Sequence, residues 1–259
     1  MDCDESTLSA GCLKTMTQHQ AVERVMQENG GYATLGYLYQ AALKVPGCNW
    51  GTKTPFASIR KIVQINPKFF KIKPGLWGLS EARESILKQF SIDKNASPKE
   101  KEEFGHSYYQ GLVVEIGNLK NYETFVPSQD RNRPFLSKKL SDIATLKQFY
   151  DFTYDNLVNR AKTIDVTWFN ERHLPCAFFE IEHSTDIQNS LLKFIDLQDF
   201  QAKFRIVADA SRRREFERKI LYVAFRPISS VVQFMDYESL SEFHSKISES
   251  VALERRLML

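Results

Sequence analysis

Two short apolar stretches of this sequence carry acids where a buried strand would ordinarily hold none. Asp165 lies within Thr163-Ile164-Asp165-Val166-Thr167-Trp168-Phe169, and Glu180 and Glu182 lie within Ala177-Phe178-Phe179-Glu180-Ile181-Glu182. Residues two apart on a strand point to one face, so Glu180 and Glu182 face the same way. Carboxylates that meet at a sheet face repel one another and lose solvation, which raises their pKa values unless a cation neutralises them. A hard, oxygen-binding ion such as Mg²⁺, with Mn²⁺ as its substitute, is the usual remedy, and a substrate phosphate completes its shell. Such an ion polarises a phosphoryl oxygen and acidifies a bound water. The chemistry open to these residues is therefore metal-assisted hydrolysis of a phosphodiester. An alternating Glu-Ile-Glu also suits the solvent face of an edge strand paired with Lys or Arg. Here the neighbours are apolar on both parities, which favours a central strand.

Several elements must position these acids. Strands are expected over Thr163 to Phe169 and Cys176 to His183, joined by the polar Asn170-Glu171-Arg172-His173. Around them the pattern predicts a helix from about Ser107 to Asn118, a strand near Tyr122 to Pro127, and a helix near Asp142 to Phe149. A helix over Asp186 to Asp199, a strand over Lys203 to Ala208 and a basic helix over Arg212 to Ile220 follow. This mixture suggests a sheet with helices on both faces.

Upstream, residues 17–84 read as a separate unit. Thr17 caps a helix that Gly30-Gly31 stops, and a second helix covers about Thr34 to Lys44. Thr54 as cap with Pro55 at the first helical position opens a third. Phe69 to Leu79, with Pro74-Gly75 between apolar segments, reads as a hairpin. Three helices and a hairpin are the layout of a winged helix. Residues 1–16 are expected to be a frayed tail, and 85–104, ending in Lys99-Glu100-Lys101-Glu102-Glu103, a linker to a second unit over 105–259.

Charge is unevenly placed. Between Trp50 and Leu79 stand Lys53, Arg60, Lys61, Lys68, Lys71 and Lys73, six cations with no Asp or Glu. Lys53, Thr54, Ser58, Arg60 and Lys61 on one helix could lie in a major groove, with Lys71 and Lys73 of the hairpin on flanking phosphates. A solvated basic surface that binds protein is the alternative. From Gln201 to Arg226 eight cations, Arg212 and Arg213 among them, face three acids, and Arg131, Arg133, Lys138 and Lys139 make a further basic loop. Beside a phosphodiester-cleaving centre such runs would neutralise backbone phosphates; elsewhere they are ordinary solvated faces.

Whole-chain composition sets bounds. In 259 residues, 42% hydrophobic and 26% charged with a net charge of +3, there is ample material for a globular core and none of the bias of a disordered or fibrous chain. Cys3, Cys12, Cys48 and Cys176 are scattered, without the spacing of a zinc site or disulfide framework. The acidic N-terminus is unlike a signal peptide, and no stretch approaches the roughly 18 apolar residues of a membrane span. A soluble protein of a reducing compartment, the cytoplasm, is expected.

Two resemblances sharpen this reading. The first unit resembles the HARE-type winged helix, on His19-Gln20-Ala21-Val22, Tyr32-Ala33-Thr34, Thr54-Pro55 and Gly75-Leu76-Trp77-Gly78-Leu79. In some members that module binds protein rather than DNA. Asp165, a hairpin-length gap and Glu180-x-Glu182 resemble the catalytic signature of PD-(D/E)XK nucleases, with the final Lys replaced by Glu as in a minority of restriction endonucleases. Phe179-Glu180-Ile181-Glu182-His183-Ser184-Thr185, Ser190-Leu191-Leu192-Lys193 and His106-x-x-x-Gln110-Gly111-x-x-x-Glu115-x-Gly117 are similar to bacterial restriction-type endonucleases, over most of 105–226.

The resemblance implies that Asp165, Glu180 and the Ile181 backbone carbonyl bind the catalytic metal. Glu182, in the lysine's place, would orient or deprotonate the attacking water. Lys193 would restore the missing positive charge, unless it is an ordinary surface lysine. Glu115 would hold a second metal or its water, with Gln110 as a supporting polar group. His183 is expected to be a buried, hydrogen-bonded side chain, and His106 to contact phosphate or cap its helix. The implied protein is a Mg²⁺-dependent type II restriction endonuclease of α+β or α/β class acting on double-stranded DNA. It would be a homodimer matching a symmetric site, with a cognate DNA methyltransferase encoded nearby. A catalytically inactive DNA-binding or regulatory protein, or a repair or modification-dependent nuclease, are the competing implications.

Overall fold

The computed structural model describes residues 16–257, so all but the last residue of the expected tail, with Cys3 and Cys12, lies outside the described residues. The fold is mixed α+β. Among the described residues no helix is long and apolar enough to cross a membrane.

Helix α1 (Gln18–Glu28) starts at a capping box in which Thr17 and Gln20 satisfy each other's backbone N–H groups. Gly30 and Gly31 then take left-handed φ values of 85° and 92°, which turns the chain into strand β1 (Tyr32–Thr34). Sequence patterning did not anticipate that strand. Thr34 caps α2 (Leu35–Ala41), and Pro55 opens α3 (Pro55–Ile65). The expected Thr54 cap is corrected in part: Thr54 occupies the cap position, but its side chain makes no capping hydrogen bond. Strands β2 (Phe69–Lys73) and β3 (Leu76–Leu79) form the expected hairpin, and β1 pairs antiparallel with β3 in the order β1-β3-β2.

After α4 (Arg83–Gln89) comes the largest departure from expectation. The charged run read as a linker is the start of α5 (Pro98–Leu119), which begins nine residues before the expected Ser107. Ser97 and Glu100 form its capping box, with Pro98 in the first turn. Its first turns are mostly solvent-exposed, so their composition resembles a linker although their capping chemistry is helical.

Strand β4 (Glu123–Phe125), the short β5 (Pro134–Phe135) and β6 (Lys138–Lys139), and α6 (Leu140–Ile143) follow. The helix expected to Phe149 is only this single turn, because its backbone is drawn off to β4: Leu146 N–H donates to the Thr124 carbonyl. Helix α7 (Asp155–Ala161) leads into β7 (Val166–Phe169) and β8 (Pro175–Glu182), then α8 (Ile187–Asp196), β9 (Lys203–Ala208), α9 (Arg213–Ile220), β10 (Val232–Asp236) and α10 (Tyr237–Leu257).

The main sheet has the order β10-β9-β8-β7-β4. Strand β8 is its centre, antiparallel to β7 and parallel to β9, so both of its edges are hydrogen-bonded. On one face Val166, Trp168, Phe179 and Ile181 pack with α5 residues Leu112, Val113 and Ile116. On the other, Phe178, Phe204 and Ile206 pack with Leu191 and Phe194 of α8 and Phe216 of α9.

The first of these cores reaches into the three-stranded N-terminal sheet, taking in Tyr32, Phe70 and Leu76. Tyr108 Oη and Ser241 Oγ both donate to the Pro74 carbonyl, at 2.7 and 3.0 Å, and so anchor the β2–β3 turn between α5 and α10. Helix α10 also lies close against α2, where a Cβ on Gly36 would come within 2.8 Å of His244.

Helix α5 reaches β5 at Gly111, where a Cβ would overlap the buried ring of Phe135. Helix propensity alone would favour Ala there by about 1 kcal/mol. Overpacking typically costs about 1–3 kcal/mol. Gly111→Ala is therefore expected to lower the urea midpoint, and an unchanged or raised midpoint would show that this contact is not tight.

Candidate active site

Val166 pairs with Phe179 and Thr167 with Phe178, and the same register carried one step further sets Asp165 opposite Glu180. Asp165 Oδ2 accepts the Ile181 backbone N–H at 2.7 Å. A residue in a ladder points its N–H and C=O to the same side, so the Ile181 carbonyl also opens toward the Asp165 side. Glu180 and Glu182 are both buried and both turn to α8.

There Lys193 Nζ donates to both oxygens of Glu180, at 2.9 and 2.8 Å, and to the Thr163 carbonyl at 3.0 Å. Ser190 Oγ lies between Glu180, at 2.9 Å, and Glu182, with one proton to donate to either, and Glu182 takes a further hydrogen bond from Thr185 Oγ1. Asp186 caps α8 and so fixes the helix that brings Ser190 and Lys193 to the strand.

Electrostatics here are short of positive charge. Burial, reinforced by the neighbouring Asp165 and only partly offset by Lys193, pushes the Glu180 carboxyl up to about 8. Burial also raises Asp165 to about 7 against the opposing Ile181 N–H, with Asp130 and Glu182 adding to the rise. Burial opposes the charge on Lys193, but the Glu180 carboxylate outweighs it and holds the lysine above its ordinary value.

The expected meeting of Asp165, Glu180 and Glu182 around one point does not occur. Among the described residues, the three-donor group is instead His106, Asp130 and Asp165, whose ligand atoms all lie within 4.8 Å of one another. Each glutamate is held by donors at α8 and the turn before it, Lys193 and Ser190 for Glu180, Thr185 and Ser190 for Glu182. Gln110 Nε2 ties the group together, donating to Asp130 Oδ2 at 3.2 Å and to the Asp165 carbonyl at 2.7 Å.

Glu115 is not brought to this centre. It accepts from or donates to no member of it and instead pairs with His244 Nε2 of α10 at 2.8 Å. Nine residues at 100° each place it on the side of α5 opposite His106. His106 neither caps its helix, which starts eight residues earlier at Pro98, nor lies at an exposed end. His183 faces away from Glu182, bonds Tyr237 Oη through Nδ1 at 2.9 Å and abuts Gly105. Burial depresses its pKa to about 4.

The cations expected on DNA divide into two sets. Lys53, Thr54 and Lys61 are exposed, and Ser58 is half-buried. Arg60, by contrast, binds Tyr39 Oη and Glu249, Lys71 pairs with Glu238, and Lys73 is half-buried near Asp209. Arg131 stacks on Phe125, and Arg133 pairs with Asp130 at 2.8 Å. Arg212 donates to the His183 and Thr185 carbonyls, fastening the loop that follows β8, and Arg213 pairs with Asp236 over the Phe234 ring.

Sequence reasoning missed Asp130 and Ser190 as members of the site. The i, i+4 spacing of His106 and Gln110, which puts them on one helix face, was the available signal for α5. Nothing local marks Asp130, which only the loop path after β4 delivers.

At the end of the central strand, then, a buried Glu180 is held by Lys193 and a half-buried Asp165 lies opposite it. The family model for the Type II restriction enzyme NmeDI C-terminal domain matches residues 87–255, and the chain belongs to that restriction endonuclease family. It is similar to the Type II restriction enzyme NmeDI of Neisseria meningitidis serogroup C, 24% identical over 150 residues that cover 54% of this chain and 42% of the relative. The chain thus matches less than half the length of that relative. No solved structure matches it.

Proposed function

We propose that this chain is a divalent-metal-dependent endodeoxyribonuclease of the type II restriction class, cutting double-stranded DNA at a specific site. Its centre is of the PD-(D/E)XK type in a D…ExE form. The observation that carries the reading is the buried Glu180–Lys193 pair beside Asp165, at the end of the central strand of a restriction-family chain.

The donor set fits a divalent cation: a half-buried Asp165 raised to about 7 and a buried Glu180 raised to about 8 have Lys193 as their nearby cation and lack a second positive charge. Asp165, Glu180 and the Ile181 carbonyl would hold Mg²⁺, which when bound polarises a phosphoryl oxygen and acidifies a water. Lys193 supplies from α8 the cation that the family signature usually places at the position of Glu182, where it stabilises charge developing on the phosphoryl group. Glu182, hydrogen-bonded to Thr185 and Ser190, orients the attacking water and takes its proton. Water adds to phosphorus as the bond to the 3′ oxygen breaks, that oxygen takes a proton from solvent, and a 5′-phosphate and 3′-hydroxyl result.

Residues 17–84 act as a winged helix that grips DNA through Lys53, Thr54, Ser58 and Lys61, and the chain from α5 onward forms the nuclease unit. A homodimer would cut both strands of a symmetric site, and a cognate methyltransferase would protect the host.

Supercoiled plasmid incubated with Mg²⁺ is expected to give discrete linear fragments with wild type, and to stay intact in EDTA or with Glu180→Ala. Intact plasmid with wild type, across many sequences and methylation states, would instead favour a DNA-binding protein without nuclease activity.

A further inference from the structure

We propose that His106, Asp130 and Asp165 form a second divalent-ion site, with Gln110 Oε1 as a fourth donor, that takes a transition ion such as Mn²⁺ in preference to Mg²⁺. The inference deepens the nuclease reading by giving Asp165 two ions to bridge, and rests on that reading only for the first of them.

Three separate elements supply the donors: His106 from α5, Asp130 from the loop after β4, and Asp165 from the residue before β7. Their ligand atoms lie within 4.8 Å of one another. An ion that holds its ligands at about 2.1 Å spreads them from roughly 3 Å for neighbours to 4.2 Å for opposite positions. His106 Nε2 and Asp165 Oδ2 stand 3.8 Å apart, too far for a hydrogen bond yet suitable for two ligands of one ion.

Two atoms at this place have no partner. His106 Nε2 and Gln110 Oε1 are buried without a hydrogen bond. Gln110 is fully buried, and its amide orientation is settled because Nε2 already donates to two acceptors, Asp130 Oδ2 and the Asp165 carbonyl. That leaves Oε1 with a lone pair and nothing to accept. A buried polar atom without a partner costs about 1–3 kcal/mol, and one cation would satisfy the nitrogen and the oxygen together. Arg133 takes Asp130 Oδ1 at 2.8 Å, which leaves Asp130 Oδ2 on the side of Gln110.

The nitrogen decides the ion. Mg²⁺ is a hard cation served by oxygens, whereas imidazole suits first-row transition ions. A mixed set of one nitrogen and three oxygens favours Mn²⁺, Fe²⁺ or Co²⁺. The Asp165–Glu180 position, by contrast, offers only oxygen. Carboxylates that bridge ions about 3.5–4 Å apart are the usual framework of two-metal phosphodiester chemistry.

The test uses the full chain, stripped of metal and without DNA, with Mn²⁺ as probe. Pulsed electron paramagnetic resonance of bound Mn²⁺ is expected to show a directly bonded imidazole nitrogen. His106→Gln should remove that coupling and weaken Mn²⁺ binding by about tenfold or more, and Asp130→Asn should weaken it by a similar factor. Glu180→Gln should keep the coupling, because Glu180 belongs to the other position. A hundredfold excess of Mg²⁺ should not displace the nitrogen-coupled ion.

Absence of nitrogen coupling in wild type, its persistence in His106→Gln, or its loss in Glu180→Gln would each overturn the proposal. The wild-type spectrum stands whatever the variants' folding. If wild type cuts plasmid in Mg²⁺ yet shows no nitrogen-coupled Mn²⁺, this site is refuted and the nuclease reading survives. Nitrogen-coupled Mn²⁺ in a protein that cuts no DNA would have the reverse meaning.

Discussion

Asp165→Asn is expected to reduce plasmid cleavage by about 10²–10³-fold while stabilising the metal-free protein at pH 8. The loss follows from the proposed chemistry: an amide cannot supply the negative charge that holds a divalent ion, and single charge-stabilising groups in such centres are worth roughly 10²–10³ in rate. The gain follows from burial. Asp165 is raised to about 7 in the folded chain, against about 3.9 when unfolded. Between those values the folded protein still holds a proton that the unfolded chain has released. Stability is therefore fully present below about pH 4 and falls as pH rises through about 7.

Glu180, raised to about 8, adds a loss of the same sign that continues slightly higher. The two losses share a sign, so the metal-free protein should be less stable at pH 8 than at pH 5. Asparagine keeps a carbonyl oxygen for the Ile181 N–H and carries no charge, so its stability should vary less between pH 5 and 8. Thermal melts in EDTA across that range check the sign. A wild type that becomes more stable with rising pH, or a variant less stable than wild type at pH 8, would contradict the account. Saturating Mn²⁺ should return the lost stability to wild type alone, because binding to the folded state stabilises it by mass action.

A second large effect is expected at Lys193. Lys193→Met should lower cleavage by about 10²–10³-fold, because it removes the positive charge nearest the acid pair. The Nζ group bonds both Glu180 oxygens and the Thr163 carbonyl. Arginine should rescue poorly, since its planar fork does not reproduce three donors radiating from one atom. Without the lysine, Glu180 is left buried beside Asp165 with Ser190 as its donor, and it should remain protonated to higher pH. The stability lost on substitution should therefore be greater at pH 8 than at pH 6, with both measured by denaturant titration in EDTA. Cleavage by Lys193→Met within threefold of wild type would make this residue a structural partner of Glu180 and nothing more.

Much of the scaffold was legible because local chemistry dictates it. Thr17 with Gln20, Pro55 and Asp186 announce helix starts, and Gly30-Gly31 announces a stop. Strand β8 could be assigned to the sheet centre because its apolar residues run on both parities, and a strand covered on both faces needs that pattern. Ser97-Pro98-x-Glu100 carried the same kind of helix signal, but the charged run that follows it suggested a linker. The weak points were the elements that long-range contacts define: β1 exists because β3 pairs with it, and α6 ends early because β4 takes its backbone hydrogen bonds.

The acids at 165, 180 and 182, and the lysine at 193, were visible as residue types in an apolar setting, and strand parity put Glu180 and Glu182 on one face. By itself the sequence determined which side chains could carry the chemistry and which element each would ride on. Tertiary structure alone decided their partners. Lys71 meets Glu238 and Arg60 meets Glu249 across 167 and 189 residues, so much of a segment without acids of its own is neutralised from the far end of the chain. Asp165 likewise stands with His106 and Asp130 rather than with both glutamates. Periodicity and capping act over a few residues, whereas charges and metal donors interact through space, and strand order sets which distant groups lie within reach.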